Sequence, residues 1–174
     1  MREWPRTGLI AAAALFVADQ LSKYLVTGPL GIAQAGDARE IVGIFDLRFV
    51  PNVGISLGLL PADGHLTRWA LVLLTGAIAV GVAVWMWRER NRVDQAALGL
   101  VLGGAMGNIL DRMRLGYVVD FADLHFPTPW DPQWRPFLVF NVADAAITIG
   151  VLVLLVRAFL TRDKPDVPVE NFNA

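Results

Sequence analysis

The segment Phe140–Val156 reads FNVADAAITIGVLVLLV and shows what kind of protein this chain is. It is apolar and long enough to cross a lipid bilayer, which takes about 20 residues, with a range near 17–25. Yet it carries Asn141 and Asp144 near its start. A charged side chain inside a membrane helix costs about 2.5–3.5 kcal/mol on insertion scales and marks a functional site by default. The segment therefore predicts a membrane fold with a polar site at Asp144.

Three further apolar runs come earlier in the chain, and together with this one they predict the fold class. The four predicted spans cover residues 8–26, 69–87, 95–112 and 137–156. The composition agrees, because 55% of the residues are hydrophobic and only 18% are charged. We expect a mostly α membrane protein with four transmembrane helices. It would form a single domain over residues 1–162, followed by a flexible cytoplasmic tail over residues 163–174. The first span is predicted to be retained, since no cleavage site separates it from Asp19 and Lys23.

The two longest connections between the spans are predicted to be ordered. The segment Arg39–Val50 reads REIVGIFDLRFV and alternates toward its end, which predicts a small surface β-sheet over about residues 37–60. The segment His125–Phe137 reads HFPTPWDPQWRPF, and its prolines and tryptophans predict an interfacial lid segment. The basic turn RERNR (residues 88–92) favours cytoplasmic termini by the positive-inside rule. The sheet and the lid would then lie on the extracytoplasmic side.

The composition also excludes several classes of function. A formal net charge of −1 argues against nucleic-acid binding, which usually needs a basic surface. The chain has no cysteine, so it has no disulfide, no thiolate metal ligand and no cysteine nucleophile of its own. Its two histidines, His65 and His125, lie in predicted loops, which leaves no serine–histidine–acid arrangement.

Polar side chains gather near one end of the predicted spans. Asp19 and Lys23 in DQLSK are four residues apart and share a helix face, which by itself predicts an ion pair. A second set consists of Asn108, Asp111 and Arg112 in GNILDR, where an Asp111–Arg112 pair at the helix end is the simplest explanation. Asn141 and Asp144 are predicted to share a face of the last helix with Thr148.

Three kinds of chemistry remain open for these carboxylates. One is an aspartate pair that activates water, with Asp120 of VVDF and Asp144 as the natural candidates. The second is a metal-dependent membrane transferase in which Asp111, Asp120, Asp123 and Asp144 supply oxygen ligands. The third is a path for protons or ions through the membrane. Asp123 and His125 are expected to be solvated loop residues.

Five motifs, taken in order, resemble those of lipoprotein signal peptidase, the type II signal peptidase of bacteria. They are DQLSK (19–23), PNVGISLG (51–58), GGAMGNILDR (103–112), VVDF (118–121) and FNVADAAI (140–147). The resemblance covers about residues 15–150. It departs from the family pattern at Ile55, Ser56 and Leu57, where the family usually has small residues and then phenylalanine. It also departs at Ala145, where serine is common.

The resemblance implies an aspartyl endopeptidase of the bacterial inner membrane. Such an enzyme removes signal peptides from diacylglyceryl-modified prolipoproteins by cutting before the lipidated cysteine. Asp120 and Asp144 would form the catalytic dyad. The residues implied to orient substrate and support the dyad are Asn52, Gly54, Asn108, Arg112 and Asn141. The residues implied to hold the helices together are Asp19, Lys23 and Asp111. We expect no metal and no cofactor, a monomer in contact with membrane lipid, and inhibition by the cyclic depsipeptide globomycin.

Overall fold

A computed structural model of the protein describes residues 4–54, 65–126, 128–131 and 134–161. This part of the chain contains four long helices, α1 (Arg6–Thr27), α2 (His65–Arg88), α3 (Arg92–Arg114) and α4 (Val142–Thr161). Each is long and apolar enough to cross a membrane. The predicted fold class is therefore confirmed. The predicted tail and the departures at Ile55, Ser56 and Leu57 lie outside the described residues.

Helix α3 lies at the centre of the bundle and contacts each of the other three helices. Glycines allow this close packing. A Cβ atom on Gly103 would lie 2.4 Å from the backbone oxygen of Ala12 in α1, and one on Gly104 would lie 2.6 Å from that of Ala143 in α4. The small residues of GGAMG therefore let α1 and α4 approach the same stretch of α3. This packing brings the polar residues of three helices together.

A three-stranded antiparallel sheet packs beside this end of the bundle. Its strands are β1 (Ala38–Val42), β2 (Phe45–Asn52) and β3 (Val118–Leu124), in the order β1-β2-β3. Leu47 and Phe49 of β2 are buried, as their alternation predicts. Strand β3 was not predicted, because nearly every residue of VVDFADL is buried and the segment shows no alternation. The pairing of β2 with β3 places Val50 opposite Asp120.

The fourth span begins later than predicted. Helix α4 starts at Val142, and the backbone before it is extended. Phe140 pairs with Ala122 of β3, with its N–H donating to the Ala122 oxygen at 3.0 Å. The predicted span of residues 137–156 was thus too early by five residues. Attachment to the sheet, rather than hydropathy, determines where the helix begins.

The described part of the predicted lid forms a closed loop. Phe126 pairs with Trp134, with the Phe126 N–H donating to the Trp134 oxygen at 2.8 Å. Inside the loop, the Thr128 hydroxyl accepts a hydrogen bond from the Asp131 N–H at 2.9 Å. Residues 127, 132 and 133 lie outside the described residues.

Candidate active site

Asp120 lies in the middle of β3 and is held by two amide side chains. Its Oδ2 accepts a hydrogen bond from Asn52 Nδ2 at 2.9 Å, and its Oδ1 accepts one from Asn141 Nδ2 at 2.6 Å. Only 2% of the residue is exposed. Burial, the largest effect, raises the pKa of Asp120 from 3.8 to about 6, and the nearby charge of Asp144 raises it further. The hydrogen bonds from Asn52 and Asn141 act in the opposite direction and limit the shift.

Asp144 lies in the first turn of α4 and forms a capping box with Asn141. Asn141 Oδ1 accepts the Asp144 N–H at 2.9 Å, and Asp144 Oδ2 accepts the Asn141 N–H at 3.2 Å. Asn141 is therefore the residue before the helix. The prediction that it shares a helix face with Asp144 and Thr148 was wrong, because the side chain turns back to cap the backbone.

Asn141 joins the two aspartates. The same side chain donates to Asp120 and caps the N–H of Asp144. Asn108 of α3 completes the link, with its Nδ2 donating to Asp144 Oδ1 at 2.8 Å. The two carboxylates come from a strand and from a helix, and amide groups hold each of them from two directions. Two carboxyl groups arranged in this way can act as base and acid in turn.

A buried ion cluster, which we call the bundle cluster, consists of Asp19, Lys23 and Asp111. Lys23 Nζ lies 2.8 Å from Asp19 Oδ2 and 2.8 Å from Asp111 Oδ2, and all three residues are at most 4% exposed. Lys23 also donates to Asn108 Oδ1 at 3.2 Å, which fixes the orientation of that amide toward Asp144. The expected ion pair between Asp19 and Lys23 is present. Asp111 pairs with Lys23, and no Asp111–Arg112 ion pair occurs among the described residues.

Asp19 also holds the start of α4. Its Oδ1 accepts the Ala143 N–H at 3.0 Å, and this is one of the amides that a helix N-terminus leaves without an internal partner. Gly107 of α3 makes room for this carboxylate, since a Cβ there would lie 2.5 Å from Asp19 Oδ2. Residue Asp19 therefore connects α1, α3 and α4 beneath the aspartate pair.

Gln20 belongs to the same region, although the sequence did not single it out. Its Nε2 donates to Asp111 Oδ1 at 3.0 Å and lies 3.2 Å from Asp19 Oδ2. Its position beside Asp19 in a membrane helix was the available signal, because an amide in lipid needs partners. Gln20 thus bridges the two carboxylates of the bundle cluster from α1.

Asn52, Gly54 and Arg112 form the side of the site nearest the sheet. Asn52 Oδ1 accepts the Gly54 N–H at 2.8 Å, which directs its Nδ2 at Asp120. Gly54 has a φ of +103°, a conformation that favours glycine, and a Cβ there would lie 2.4 Å from Leu71 Cδ1, so the leucine would have to shift. The Arg112 guanidinium interacts electrostatically with both aspartates of the pair. Its Nε is buried and has no hydrogen-bond partner among the described residues.

Asp123 and His125 lie in a second ion cluster, and the expectation that they are solvated was wrong. We call it the sheet cluster, and its members are Asp46, Arg48, Asp123, His125 and Arg135. Asp123 is 1% exposed, and its Oδ2 accepts from Arg48 Nε and from Arg135 Nε, each at 2.9 Å. His125 Nδ1 lies 3.6 Å from Asp46 Oδ2. The β2–β3 register, which places Asp46 opposite Asp123, accounts for this burial.

The four aspartates of the metal-dependent alternative do not converge. Asp111 is paired with Lys23, and Asp123 is paired with the two arginines of the sheet cluster. In the part of the chain that the structure describes, no group of three or more His, Asp or Glu side chains is arranged to hold a metal ion. Of these four aspartates, only Asp120 and Asp144 share a partner among the described residues, namely Asn141, so the geometry favours a two-carboxylate site.

Comparison with known proteins gives one consistent result. The family model described as Signal peptidase (SPase) II matches residues 11–160. A lipoprotein signal peptidase of Rhizorhabdus wittichii is 53% identical over 167 residues, which cover 96% of this chain and 93% of that protein. One of Sphingopyxis alaskensis is 51% identical over 159 residues, covering 91% and 88%. A solved structure described as a bacterial membrane enzyme, obtained by the in meso method, superposes with a TM-score of 0.74 at 25% identity, covering 94% of both chains.

Proposed function

Because the chain belongs to the signal peptidase II family of aspartic peptidases, we propose that Asp120 and Asp144 together activate the water that cleaves its substrate. As a multi-pass lipoprotein signal peptidase, it would act on diacylglyceryl-modified prolipoproteins and cut before the lipidated cysteine. One observation carries the assignment of the dyad. The Asn141 side chain contacts both aspartates, so a strand residue and a helix residue form one site.

The two carboxyl groups differ in burial and in the element that carries them, and this difference supports a different role for each. Asp120 is buried with its pKa raised to about 6, so it is the group that retains a proton. Asp144 is only partly buried and lies in the first turn of α4, where water can reach it. Asp144 would accept a proton from the attacking water. Asp120 would give its proton to the oxygen of the scissile carbonyl, which yields a tetrahedral diol.

Collapse of this diol completes the cycle. Asp144 would pass the proton that it took from water to the leaving amine nitrogen as the C–N bond breaks. A hydroxyl of the diol would return a proton to Asp120, so the new carboxyl end and the new amine leave with the enzyme restored. No metal or cofactor is needed in this scheme, because the two carboxyl groups supply both the base and the acid.

Three residues beside the dyad would orient the substrate. Asn52 and Gly54 form a tight turn at the end of β2 that directs an amide at Asp120. The unpartnered Nε of Arg112 is buried between this turn and the dyad, which makes it a donor for a substrate carbonyl. The site would lie at the extracytoplasmic surface of the inner membrane, with both termini cytoplasmic. The loop of residues 125–137 would act as a lid, the protein would work as a monomer in lipid, and globomycin would block the dyad.

Cleavage of a diacylglyceryl-modified prolipoprotein in detergent, followed by gel shift, tests the dyad. Asp120→Asn and Asp144→Asn should each lower the rate by about 10²–10⁴-fold, as expected for loss of a general acid or base. Asp123→Asn is the matched control, because Asp123 is another buried carboxylate of β3 but is paired with arginines. It should retain cleavage. Each reaction contains a strong chelator.

Two outcomes would contradict the proposal. Cleavage by Asp144→Asn at the wild-type rate would remove Asp144 from the chemistry. Loss of wild-type activity in chelator, restored by a divalent cation, would favour the metal-dependent alternative. A third reading, in which the aspartates conduct ions, predicts Asp144-dependent proton flux in liposomes without cleavage.

A further inference from the structure

A cavity of about 890 Å³ lies at the end of the bundle opposite the dyad. It is bounded by the first turns of α1, the last turn of α2 and the turn that leads into α3. Gln95 at the start of α3 lines it, whereas Asn108 of the dyad site lies thirteen residues further along the same helix. At 1.5 Å per residue these positions are about 20 Å apart, so the cavity is separate from the peptidase site.

The lining of this cavity is strongly basic. Four arginines contribute to it: Arg6 of α1, Arg88 of α2, Arg92 of α3 and Arg90 of the turn between α2 and α3. All four are exposed, and none forms an ion pair within the described part of the chain. Glu89 is the one acidic residue among the described residues of the lining, and its Oε1 accepts the N–H groups of Arg90 and Asn91. Four unpaired guanidinium groups around one cavity favour an anion with several oxygens.

Apolar surface continues from the cavity along the lipid-facing side of α2. A second cavity of about 410 Å³ is lined by Val80, Ala83 and Val84, and it shares Trp87 and Arg88 with the basic one. The Trp87 ring lies 5.7 Å from that of Trp4, which comes just before α1, and this places two indoles where the basic and apolar surfaces meet. Tryptophan favours the headgroup level of a bilayer. The basic cavity is thus at headgroup level, and the second cavity leads from it toward the hydrocarbon.

We infer that these two cavities bind one anionic glycerophospholipid of the surrounding bilayer. The arginines would hold its phosphate and headgroup, and one acyl chain would lie along Val80 and Val84 of α2. A free phosphate ester would fill only the basic part. A zwitterionic lipid carries a positive group that the arginines repel. The site therefore selects a lipid with net negative charge, and it would attach α1 to α2 at the end where the two Trp rings meet.

Native mass spectrometry of the full-length protein in a non-ionic detergent tests this site. Phosphatidylglycerol and phosphatidylcholine with the same acyl chains are titrated separately. The wild-type protein should bind phosphatidylglycerol more tightly than phosphatidylcholine. The variant Arg88→Gln/Arg92→Gln should lose affinity for it by about fivefold for each arginine removed. The matched control is Arg39→Gln/Arg114→Gln, which removes two exposed arginines near the sheet and should bind as wild type does.

The outcomes separate the proposal from its competitors. Equal binding of the two lipids by wild type, or unchanged phosphatidylglycerol affinity in the Arg88→Gln/Arg92→Gln variant, would overturn it. Displacement of the lipid by millimolar glycerol 3-phosphate would show that the cavity takes a free phosphate ester, which also overturns it. A photoreactive phosphatidylglycerol applied to wild type needs no variant. It should crosslink to residues 4–10 and 80–92, and crosslinks confined to other segments would contradict the site.

Discussion

The bundle cluster and the sheet cluster lie on two sides of the proposed dyad, and both pair buried aspartates with basic side chains. They differ in how completely their charged atoms are hydrogen-bonded or paired. Each charged group of the bundle cluster has a partner at 3.0 Å or less, and each residue is at most 4% exposed. In the sheet cluster the arginine side chains of Arg48 and Arg135 are 38% and 27% exposed. The Oδ1 atoms of Asp46 and Asp123 are buried there without a hydrogen-bond partner among the described residues.

This difference shows that the composition of an ion cluster does not determine what it does. In the bundle cluster one lysine neutralises two carboxylates away from water, so no member can be lost without leaving a buried charge. In the sheet cluster, by contrast, two arginines share one carboxylate oxygen and reach solvent, so either can replace the other. The bundle cluster fixes the positions of three helices, whereas the sheet cluster fastens Arg135 and its segment to the sheet in a replaceable way.

The largest effect should come from removing the single cation of the bundle cluster. Lys23→Met leaves Asp19 and Asp111 buried without a counter-charge, and we expect a loss of about 3–5 kcal/mol in the free energy of unfolding. Thermal unfolding in detergent, followed by circular dichroism, measures it. Arg48→Met, which removes a cation from the sheet cluster, is the control and should change the midpoint little. Equal changes of the unfolding midpoint in the two variants would contradict the difference between the bundle cluster and the sheet cluster.

A smaller loss should follow from crowding the bundle cluster without changing its charge. Gly107→Ala places a Cβ 2.5 Å from Asp19 Oδ2, and overpacking of this kind costs about 1–3 kcal/mol. The displaced carboxylate should also release the Ala143 N–H, so cleavage should fall together with the unfolding midpoint. Gly76→Ala and Gly81→Ala are matched controls, because a Cβ at either helix position meets nothing within 4 Å. A Gly107→Ala variant as stable and active as these controls would contradict the close packing.

The replaceable character of the sheet cluster can be measured by a double-mutant cycle. Arg48→Gln and Arg135→Gln should each cost about 0–1 kcal/mol, because the remaining arginine still pairs with Asp123 and solvent screens both. The double variant leaves Asp123 buried and unpaired, so its cost should exceed the sum of the two single costs. Chemical denaturation in detergent provides the four free energies. Strict additivity would mean that the arginines act independently of Asp123.

The smallest effect concerns the dyad between the two clusters, and it appears in the pH profile. The pKa of Asp120 is raised to about 6, chiefly by burial, so the proton that it is proposed to donate is lost as pH rises through that value. The kcat/KM of the free enzyme should therefore fall on the alkaline side. Asn52→Ala removes a hydrogen bond that lowers this pKa, so the alkaline limb should move to higher pH even though the rate is reduced.

The free energy of unfolding should also depend on pH through Asp120. Between about pH 4 and pH 6 the folded protein binds more protons at Asp120 than the unfolded chain does. Asp120 therefore contributes most to stability below about pH 4, and its contribution decreases as pH rises from about 4 to about 6.

The control for the pH profile of kcat/KM is Asn91→Ala, which removes the cap at the far end of α3 and should leave the position of the alkaline limb unchanged. A limb that moves to lower pH in Asn52→Ala would contradict the assignment of the proton to Asp120.

Local patterns in the sequence predicted what depends on local composition. Hydropathy was sufficient for the four spans, and alternation was sufficient for the buried face of β2 at Leu47 and Phe49. The motif resemblance supplied Asp120 and Asp144, which the structure brings to a shared partner in Asn141. The spacing N-x-x-D at residues 141–144 was itself a signal of a capping box, and it would have moved the start of α4 to Val142.

What the sequence did not reveal depends on contacts between distant segments. Strand β3 lacks alternation because it is covered on both faces, and the burial of Asp123 depends on the β2–β3 register. That register involves residues more than seventy positions apart, and no local period encodes it. The pairing of Asp111 with Lys23 rather than Arg112 likewise requires the α1–α3 packing that the glycines permit.

The hydrogen bond from the Ala143 N–H to Asp19 has a consequence for how the enzyme matures. Helix α1 supplies the acceptor for an N–H in the first turn of α4, so this contact forms only after α4 has been inserted beside α1. A chain whose synthesis has not yet reached α4 lacks Asp144 and therefore lacks half of the proposed dyad. We expect substrate cleavage only from chains in which α4 has been inserted beside α1.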